Sequence, residues 1–191
     1  MEQQTWAGAV REVWRTAARH KIVSSLVALC VAGSLITLAL VASGSGTSAG
    51  APSDPAAPAF SLPVLGQSGQ QISLSGYAGR PLIVNFFASW CEPCQQETPL
   101  LAKFYRAEHG KMALVGLDEN DAAGSAASFT HKEGVSYPVG FDPTAIAASA
   151  YGVAALPQTF FLNAKHHIVD RVFGAVTTAD LNHGIALATA G

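Results

Sequence analysis

A Cys-x-x-Cys at the junction of two patterns restricts this chain more than any other feature. The apolar run Leu82-Ile83-Val84-Asn85-Phe86-Phe87 reads as a short buried strand. Cys91-Glu92-Pro93-Cys94 follows within a few residues and opens a helix-like pattern. That placement puts Cys91 at a helix N-terminus, where unpaired N–H groups and the positive end of the helix dipole stabilise an anion. A thiol there ionises below the free value of about 8.5 and becomes a nucleophile near neutral pH. Cys94 lies one turn on, close enough to close a disulfide, so one pair can both attack and resolve. Two other readings compete. A zinc site needs four ligands, but the only other cysteine, Cys30, lies in a hydrophobic run, and the first histidine after the pair is His109. An inert structural disulfide normally closes a long loop, and a loop of two intervening residues removes little chain entropy.

The N-terminal third bears on location. Residues 1–21 carry Arg11, Arg15, Arg19 and Lys21 against Glu2 and Glu12, a net +2. Residues 22–42 carry no charge. As a helix they span roughly 30 Å, the thickness of a bilayer core. No Lys or Arg follows until Arg80. This asymmetry keeps residues 1–21 in the cytoplasm, makes 22–42 a single transmembrane anchor and exports the rest. A cleaved signal peptide is the rival; its apolar region normally runs about 7–15 residues. The small residues from Ser43 to Ala51 offer that rival a cleavage site. Leu29 before Cys30 is large where a lipoprotein signal needs a small residue, so Cys30 reads as a buried apolar cysteine. Residues 43–58 are Gly, Ala, Ser, Thr or Pro except Asp54, and read as a flexible linker reaching roughly 20–25 Å.

Residues 59–191 suit one domain. The whole chain carries −2, so everything after the basic flank carries −4. No basic stripe exists, and nucleic acid is excluded as a partner. Phe60–Leu65 and Gln71–Leu74 are expected to form a hairpin, with a turn or short helix at Ser75–Gly79. Strands follow at Leu82–Phe87, Met112–Leu117 and Val139–Phe141. Helices are expected at Glu92–His109 with a kink at Pro99, at Ala122–Lys132 and at Thr144–Tyr151. Thr159–Leu162 and Ile168–Phe173 make a second hairpin. Thr178–Thr189 is a last helix, capped by Thr177 or Thr178. Alternation of strands and helices gives an α/β sheet, and the order is a thioredoxin plan with a central βα insert.

Four pieces carry a family resemblance. They are Val84-Asn85-Phe86-Phe87-Ala88-Ser89-Trp90-Cys91-Glu92-Pro93-Cys94; Glu97-Thr98-Pro99; Gly140-Phe141-Asp142-Pro143 with Tyr151-Gly152-Val153; and Leu156-Pro157-Gln158-Thr159-Phe160-Phe161-Leu162. Over residues 59–191 the chain resembles the membrane-anchored ResA/TlpA-type thiol-disulfide oxidoreductases of the thioredoxin superfamily. The resemblance implies that Cys91 is the exposed attacking cysteine and Cys94 the resolving one. It makes Trp90, Leu156 and Pro157 the substrate-binding residues, with Pro157 preceded by a cis bond. It places Glu97 near the cysteines, and Asn85 where general thioredoxins have a buried Asp. Partial burial would raise the Glu97 pKa toward the thiol range, making it a base for Cys94. No metal and no cofactor is implied beyond the Cys91–Cys94 dithiol.

The function so implied is extracytoplasmic reduction of protein disulfides, with apocytochrome c maturation the leading pathway. A membrane electron donor of the CcdA or DsbD type would re-reduce the pair. A general extracytoplasmic oxidase or reductase would carry the same sequence features. A peroxiredoxin would need a Pro-x-x-x-Thr/Ser-x-x-Cys context, which is missing. A Sco-like copper-delivery module, the non-enzyme rival, would use Cys-x-x-x-Cys and a distant His. His166-His167 reads as solvated turn histidines, since adjacent strand residues point to opposite faces. Asp118-Glu119-Asn120-Asp121 reads as a polar loop lacking the EF-hand pattern. The charge asymmetry makes one outcome checkable at once: a reporter active only after export, fused after Gly191, is expected to be active, with the chain in the membrane fraction. A soluble form beginning near Ser43 to Ala51 would identify a cleaved signal instead.

Overall fold

The computed structural model describes residues 54–108 and 112–190. The expected cytoplasmic flank 1–21, the expected anchor 22–42 and residues 43–53 of the expected linker lie outside the described residues. Among the described residues no helix is long and apolar enough to cross a membrane. The order is β1 (Ser61–Pro63), β2 (Gln71–Ser73), a 3-10 turn (Leu74–Tyr77), β3 (Leu82–Phe87), α1 (Glu92–Glu108), β4 (Ala113–Glu119) and α2 (Ala123–Lys132). There follow β5 (Val139–Asp142), α3 (Ile146–Ala150), β6 (Gln158–Leu162), β7 (Ile168–Phe173) and α4 (Thr178–Thr189).

All six residues of β3 are buried, as a run apolar but for Asn85 requires of a central strand. The main sheet has the order β5-β4-β3-β6-β7, and β1–β2 form a separate antiparallel hairpin. β3, β4 and β5 run parallel, β6 is antiparallel to β3, and β7 is antiparallel to β6. The ends of β3, β4, β5 and β7 and the start of β6 therefore share one edge of the sheet, and that edge carries the cysteines. The α2–β5 segment is the central βα insert, and it supplies the parallel edge strand.

Side chains alternate along β3, so each face of the sheet gets its own core. On one face Val84, Phe86 and Phe160 pack with Leu62, Ile72 and Tyr151 beneath the hairpin and α3. The Phe86, Tyr151 and Phe160 rings meet at centroid distances of 5.1–5.6 Å, with the edge-on and tilted geometry aromatic quadrupoles favour. On the other face Ile83, Phe87 and Phe161 pack with Leu101, Phe129 and Leu181 of the helices, and both cysteines belong to this cluster. The buried stripe of α1 is Cys94, Glu97, Thr98, Leu101 and Ala102, the i, i+3, i+4, i+7, i+8 rows of one helical face. The helix runs on through Pro99, which lies on its exposed side.

Several local readings differ from the observed elements. β4 extends beyond Leu117 to Glu119, so Asp118 is a fully buried strand residue and no part of a polar loop. α3 starts only at Ile146 because Asp142 caps it: its Oδ1 accepts the Ile146 N–H at 2.9 Å, and its Oδ2 those of Ala147 and Ala148 at 2.9 and 3.2 Å. Thr177 is the cap of α4, in a reciprocal capping box with Asp180. Residues read as linker already join the fold: Ile168 N–H donates to Pro55 O and Ala57 N–H to His166 O, both at 2.8 Å. His166 is half-buried with its ring Nε2 3.0 Å from Tyr77 O, so it is not a solvated turn histidine.

Helix α4 lies so close to the sheet that a Cβ at Gly184 would sit 2.4 Å from the Phe161 ring. Gly184→Ala would raise helix propensity by roughly 1 kcal/mol. Overpacking against a fully buried ring costs about 1–3 kcal/mol and should outweigh it. The expected outcome is a lower urea midpoint with an unchanged m-value.

Candidate active site

Where β3 stops, the chain turns through Ala88–Trp90 into α1. The Cys91 N–H donates to Ala88 O at 3.2 Å, and Gln95 N–H donates to Cys91 O at 3.1 Å as the first bond of the helix. Gln95 Nε2 also reaches back to Ser89 O at 2.8 Å, which closes the loop. Cys91 and Cys94 are joined by a disulfide, with Cα atoms 5.2 Å apart. The Cys94 N–H, one of the otherwise unpaired donors of the first turn, points at Cys91 Sγ at 3.2 Å. The same donor faces a Cys91 thiolate once the bond is reduced. Cys91 keeps 5% of its surface and Cys94 none. Cys91 is thus the more accessible of the pair, as expected, but it is buried and not openly exposed.

The sequence-derived candidates converge on this edge. Trp90 is 59% exposed, with its indole N–H donating to Asn120 O at 3.1 Å. Leu156 is half-buried and touches both core clusters. The Leu156–Pro157 bond is cis. Gln158 pairs with Phe86, so Pro157 lies level with the end of β3, beside the loop that leads to Cys91. One neighbour escaped the sequence reading. Phe173, at the end of β7, pairs with Gln158 and is exposed. Its ring lies 4.4 Å from the Arg171 guanidinium carbon, which also stacks on Phe160 at 4.7 Å. Gly174 N–H binds Pro157 O at 2.9 Å. An isolated exposed aromatic carries no signal in a sequence, since only the sheet brings it to this edge.

Glu97 is 2% exposed, one turn past Cys94 on the buried stripe. Its Oε1 accepts Asn85 Nδ2 at 2.7 Å and its Oε2 accepts the Val176 N–H at 2.8 Å. Asn85 Nδ2 also donates to Thr159 Oγ1 at 3.0 Å. Burial pushes the Glu97 pKa up to about 7, held from going further by the Val176 and Asn85 donors. That value lies near the thiol range, so the carboxyl can take or return a proton around neutral pH. Asn85 is a donor to Glu97, not a base, and Thr159 and the Val176 amide are partners that no local motif marks.

Asp118 is the second buried acid at this edge, and the sequence reading missed it. It has no exposed surface, and among the described residues neither of its oxygens finds a hydrogen-bond donor. Burial, then the charge and hydrogen-bonding oxygen of Asp121, lift its pKa to about 8. Among the described residues no group of three or more His, Cys, Asp or Glu is arranged to hold a metal ion.

Comparison with known proteins agrees with this geometry. The model of the AhpC/TSA family matches residues 54–171. The chain belongs to the AhpC/TSA family. The thiol-disulfide oxidoreductase ResA of Bacillus subtilis (strain 168) is 34% identical over 155 residues, covering 80% of this chain and 82% of that one. The thiol:disulfide interchange protein CycY of Rhizobium leguminosarum bv. viciae is 32% identical over 108 residues, 56% of this chain and 57% of its own. A thiol:disulfide interchange protein of the thioredoxin family from Chlorobium tepidum TLS superposes with a TM-score of 0.64 at 26% identity, covering 73% of this chain and 99% of that one. The protein is a thiol-disulfide oxidoreductase of the ResA and CycY kind, on a thioredoxin-like α/β fold.

The two buried acids make stability depend on pH. Each binds its proton more tightly folded than unfolded, Glu97 at about 7 against 4.5 and Asp118 at about 8 against 3.8. Their contribution is therefore full at acid pH, below the unfolded values, and is lost as pH rises through 7 and 8. The urea midpoint is expected to fall between pH 5 and pH 9. Glu97→Gln and Asp118→Asn should each flatten part of that slope, and the double variant most of it.

Proposed function

We propose that the protein is an extracytoplasmic, membrane-tethered reductase of protein disulfides, held by residues 22–42, with apocytochrome c as its leading substrate. The observation that carries this reading is the alignment of three groups on one helix. Cys91 sits at the N-terminus of α1 with the Cys94 N–H on its sulfur, and the buried Glu97 carboxyl follows one turn later. The charge asymmetry around residues 22–42 supports the topology. The resemblance to ResA/TlpA-type proteins supports the pathway and a re-reducing membrane dithiol of the CcdA or DsbD type.

In the reduced enzyme the Cys91 thiolate attacks one sulfur of the substrate disulfide. An S–S bond forms between Cys91 and that sulfur, and the other substrate sulfur leaves as a thiolate that takes up a proton. Cys94, buried and held against the Glu97 side of the helix, then loses its proton to the Glu97 carboxylate. Its thiolate attacks Cys91 Sγ, re-forming the Cys91–Cys94 bond and expelling the second substrate thiol. Two electrons pass from the enzyme dithiol to the substrate, and a membrane dithiol returns them. Asn85 and the Val176 amide hold the carboxyl in place throughout. Trp90, Leu156 and Pro157 form the face against which the substrate segment lies.

Two measurements test this reading. Cys94→Ser should trap a mixed disulfide through Cys91, whereas Cys91→Ser should trap almost none; the reverse pattern would overturn the assignment. The reduction potential of the Cys91–Cys94 pair should lie near that of thioredoxin, about −270 mV. A value near that of DsbA, about −120 mV, would make the protein an oxidant.

A further inference from the structure

The mechanism above leaves unused a buried carboxyl at the cysteine edge that has no hydrogen-bond donor among the described residues. Asp118 is the last residue but one of β4, level with Phe87 at the end of β3, and is wholly excluded from solvent. Among the described residues, none donates a hydrogen bond to either of its oxygens. Its cross-strand partners in register, Phe87 on β3 and Phe141 on β5, bring neither donor nor charge. The charged groups that face it are all acidic: Asp121 on the following loop, Glu119 on its own strand and Asp142 on β5. The Asp142 carboxylate is already occupied by the three N–H groups of α3. A buried carboxylate with no donor and only acidic neighbours is costly, so the group is held neutral. A neutral carboxyl has one O–H to donate, and Asp121, three residues on, is the charged neighbour that acts on it most strongly.

Asp121 is where this becomes functional. Its Oδ2 accepts the Ser89 N–H at 2.7 Å, and its Oδ1 the Ala122 N–H at 2.7 Å. The preceding residue, Asn120, accepts the Trp90 indole N–H and holds a left-handed φ of 48°. The Asn120–Asp121 turn thus grips Ser89 and Trp90, the two residues that precede Cys91. Asp118 lies two residues before that turn, on the strand that leads into it.

We propose that Asp118 is a protonation-dependent positioning residue for Cys91. With its proton, it donates to Asp121 and keeps the Asp121 carboxylate seated on the Ser89 N–H. Without it, two adjacent carboxylates repel, Asp121 leaves Ser89, and the Ser89–Trp90 segment loosens around Cys91. The proton goes to solvent, and no bond to sulfur is involved. Exchange is fastest in the gripped state, and the change falls on the alkaline side of neutrality. The device acts the same whether electrons leave or enter the Cys91–Cys94 pair, so it stands or falls apart from the reductase assignment.

The test uses the full-length protein carrying Trp6→Phe and Trp14→Phe, so that Trp90 is the only indole. Trp90 fluorescence and the rate of exchange with a disulfide-bridged peptide are followed from pH 6 to pH 10. In the otherwise unsubstituted protein a fluorescence transition is expected above neutrality. Asp118→Asn keeps a donor to Asp121 at every pH and should remove the transition. Its exchange rate should match the parent's at pH 6 and exceed it on the order of tenfold at pH 9.5, within the roughly 100-fold that a 1 Å misplacement of a reacting group can cost. Asp121→Asn, at a half-buried loop position, removes the repelling charge and should abolish the transition. Glu97→Gln should leave the fluorescence transition in place. An Asp118→Asn profile identical to the parent's, or a transition that survives in Asp121→Asn, would overturn the proposal.

Discussion

The rest of the site depends on one buried carboxyl. Glu97 lies on the buried face of the helix that begins at the cysteines, and its two oxygens are held from two other parts of the fold: Asn85 in the central strand and the Val176 amide at the entry to α4. Asn85 passes the connection on to Thr159 of β6. A polar knot in an otherwise apolar layer has few satisfactory arrangements, because each unmet partner costs a desolvated group. Leu101, Ala102 and Phe161 would tolerate small slides of α1 along the sheet; the directional bonds to Glu97 do not. The height of Cys94 over the strand, and with it the placement of Cys91, follows from that knot.

The same burial that fixes the geometry tunes the chemistry. A carboxyl removed from water gives up its proton reluctantly, and the two donors on Glu97 counter only part of that effect. It ends with a proton affinity close to that of a thiol, which a solvated first-turn glutamate would not have. Asp118 reaches a similar state by another route. It has burial without donors, and a neighbouring acid in place of Asn85. One acid sits on the buried face of the helix that begins at the cysteines and the other on β4, two residues before the Asn120–Asp121 turn. Both are neutral or half-neutral at the pH where thiol exchange runs.

Much of the fold was legible because the sheet is built from unambiguous signals. Leu82–Phe87 has no polar residue but Asn85 and could only be a central strand. Thr178–Thr189 carried its cap and its acidic first turn in sequence. The readings that slipped were at ends. Asp118-Glu119 looks like the start of a loop because acidic residues rarely sit inside strands, yet parallel pairing with Phe87, Phe141 and Asp142 extends the strand over both. The start of α3 moved because a side chain four residues upstream, Asp142, took over its N–H groups. Residues 55–57 looked like spacer because Pro and Ala bury little, but their backbone groups found partners at 166–168.

The sequence by itself determined the chemistry and its scaffold. A strand, a Cys-x-x-Cys and a helix in immediate succession leave Cys91 at a helix N-terminus, and that follows from local geometry alone. It also determined that Glu97 shares the face of Cys94, since three residues on a helix bring a side chain back to the same side. It could not determine that this face is sealed from water, that Val176 supplies a donor from 79 residues away, or that Asp118 is left without one. Those outcomes depend on which strands become neighbours, and burial sums over contacts between segments far apart in the chain. Proton affinity at this site is a property of that summed environment, and only the folded arrangement decides it.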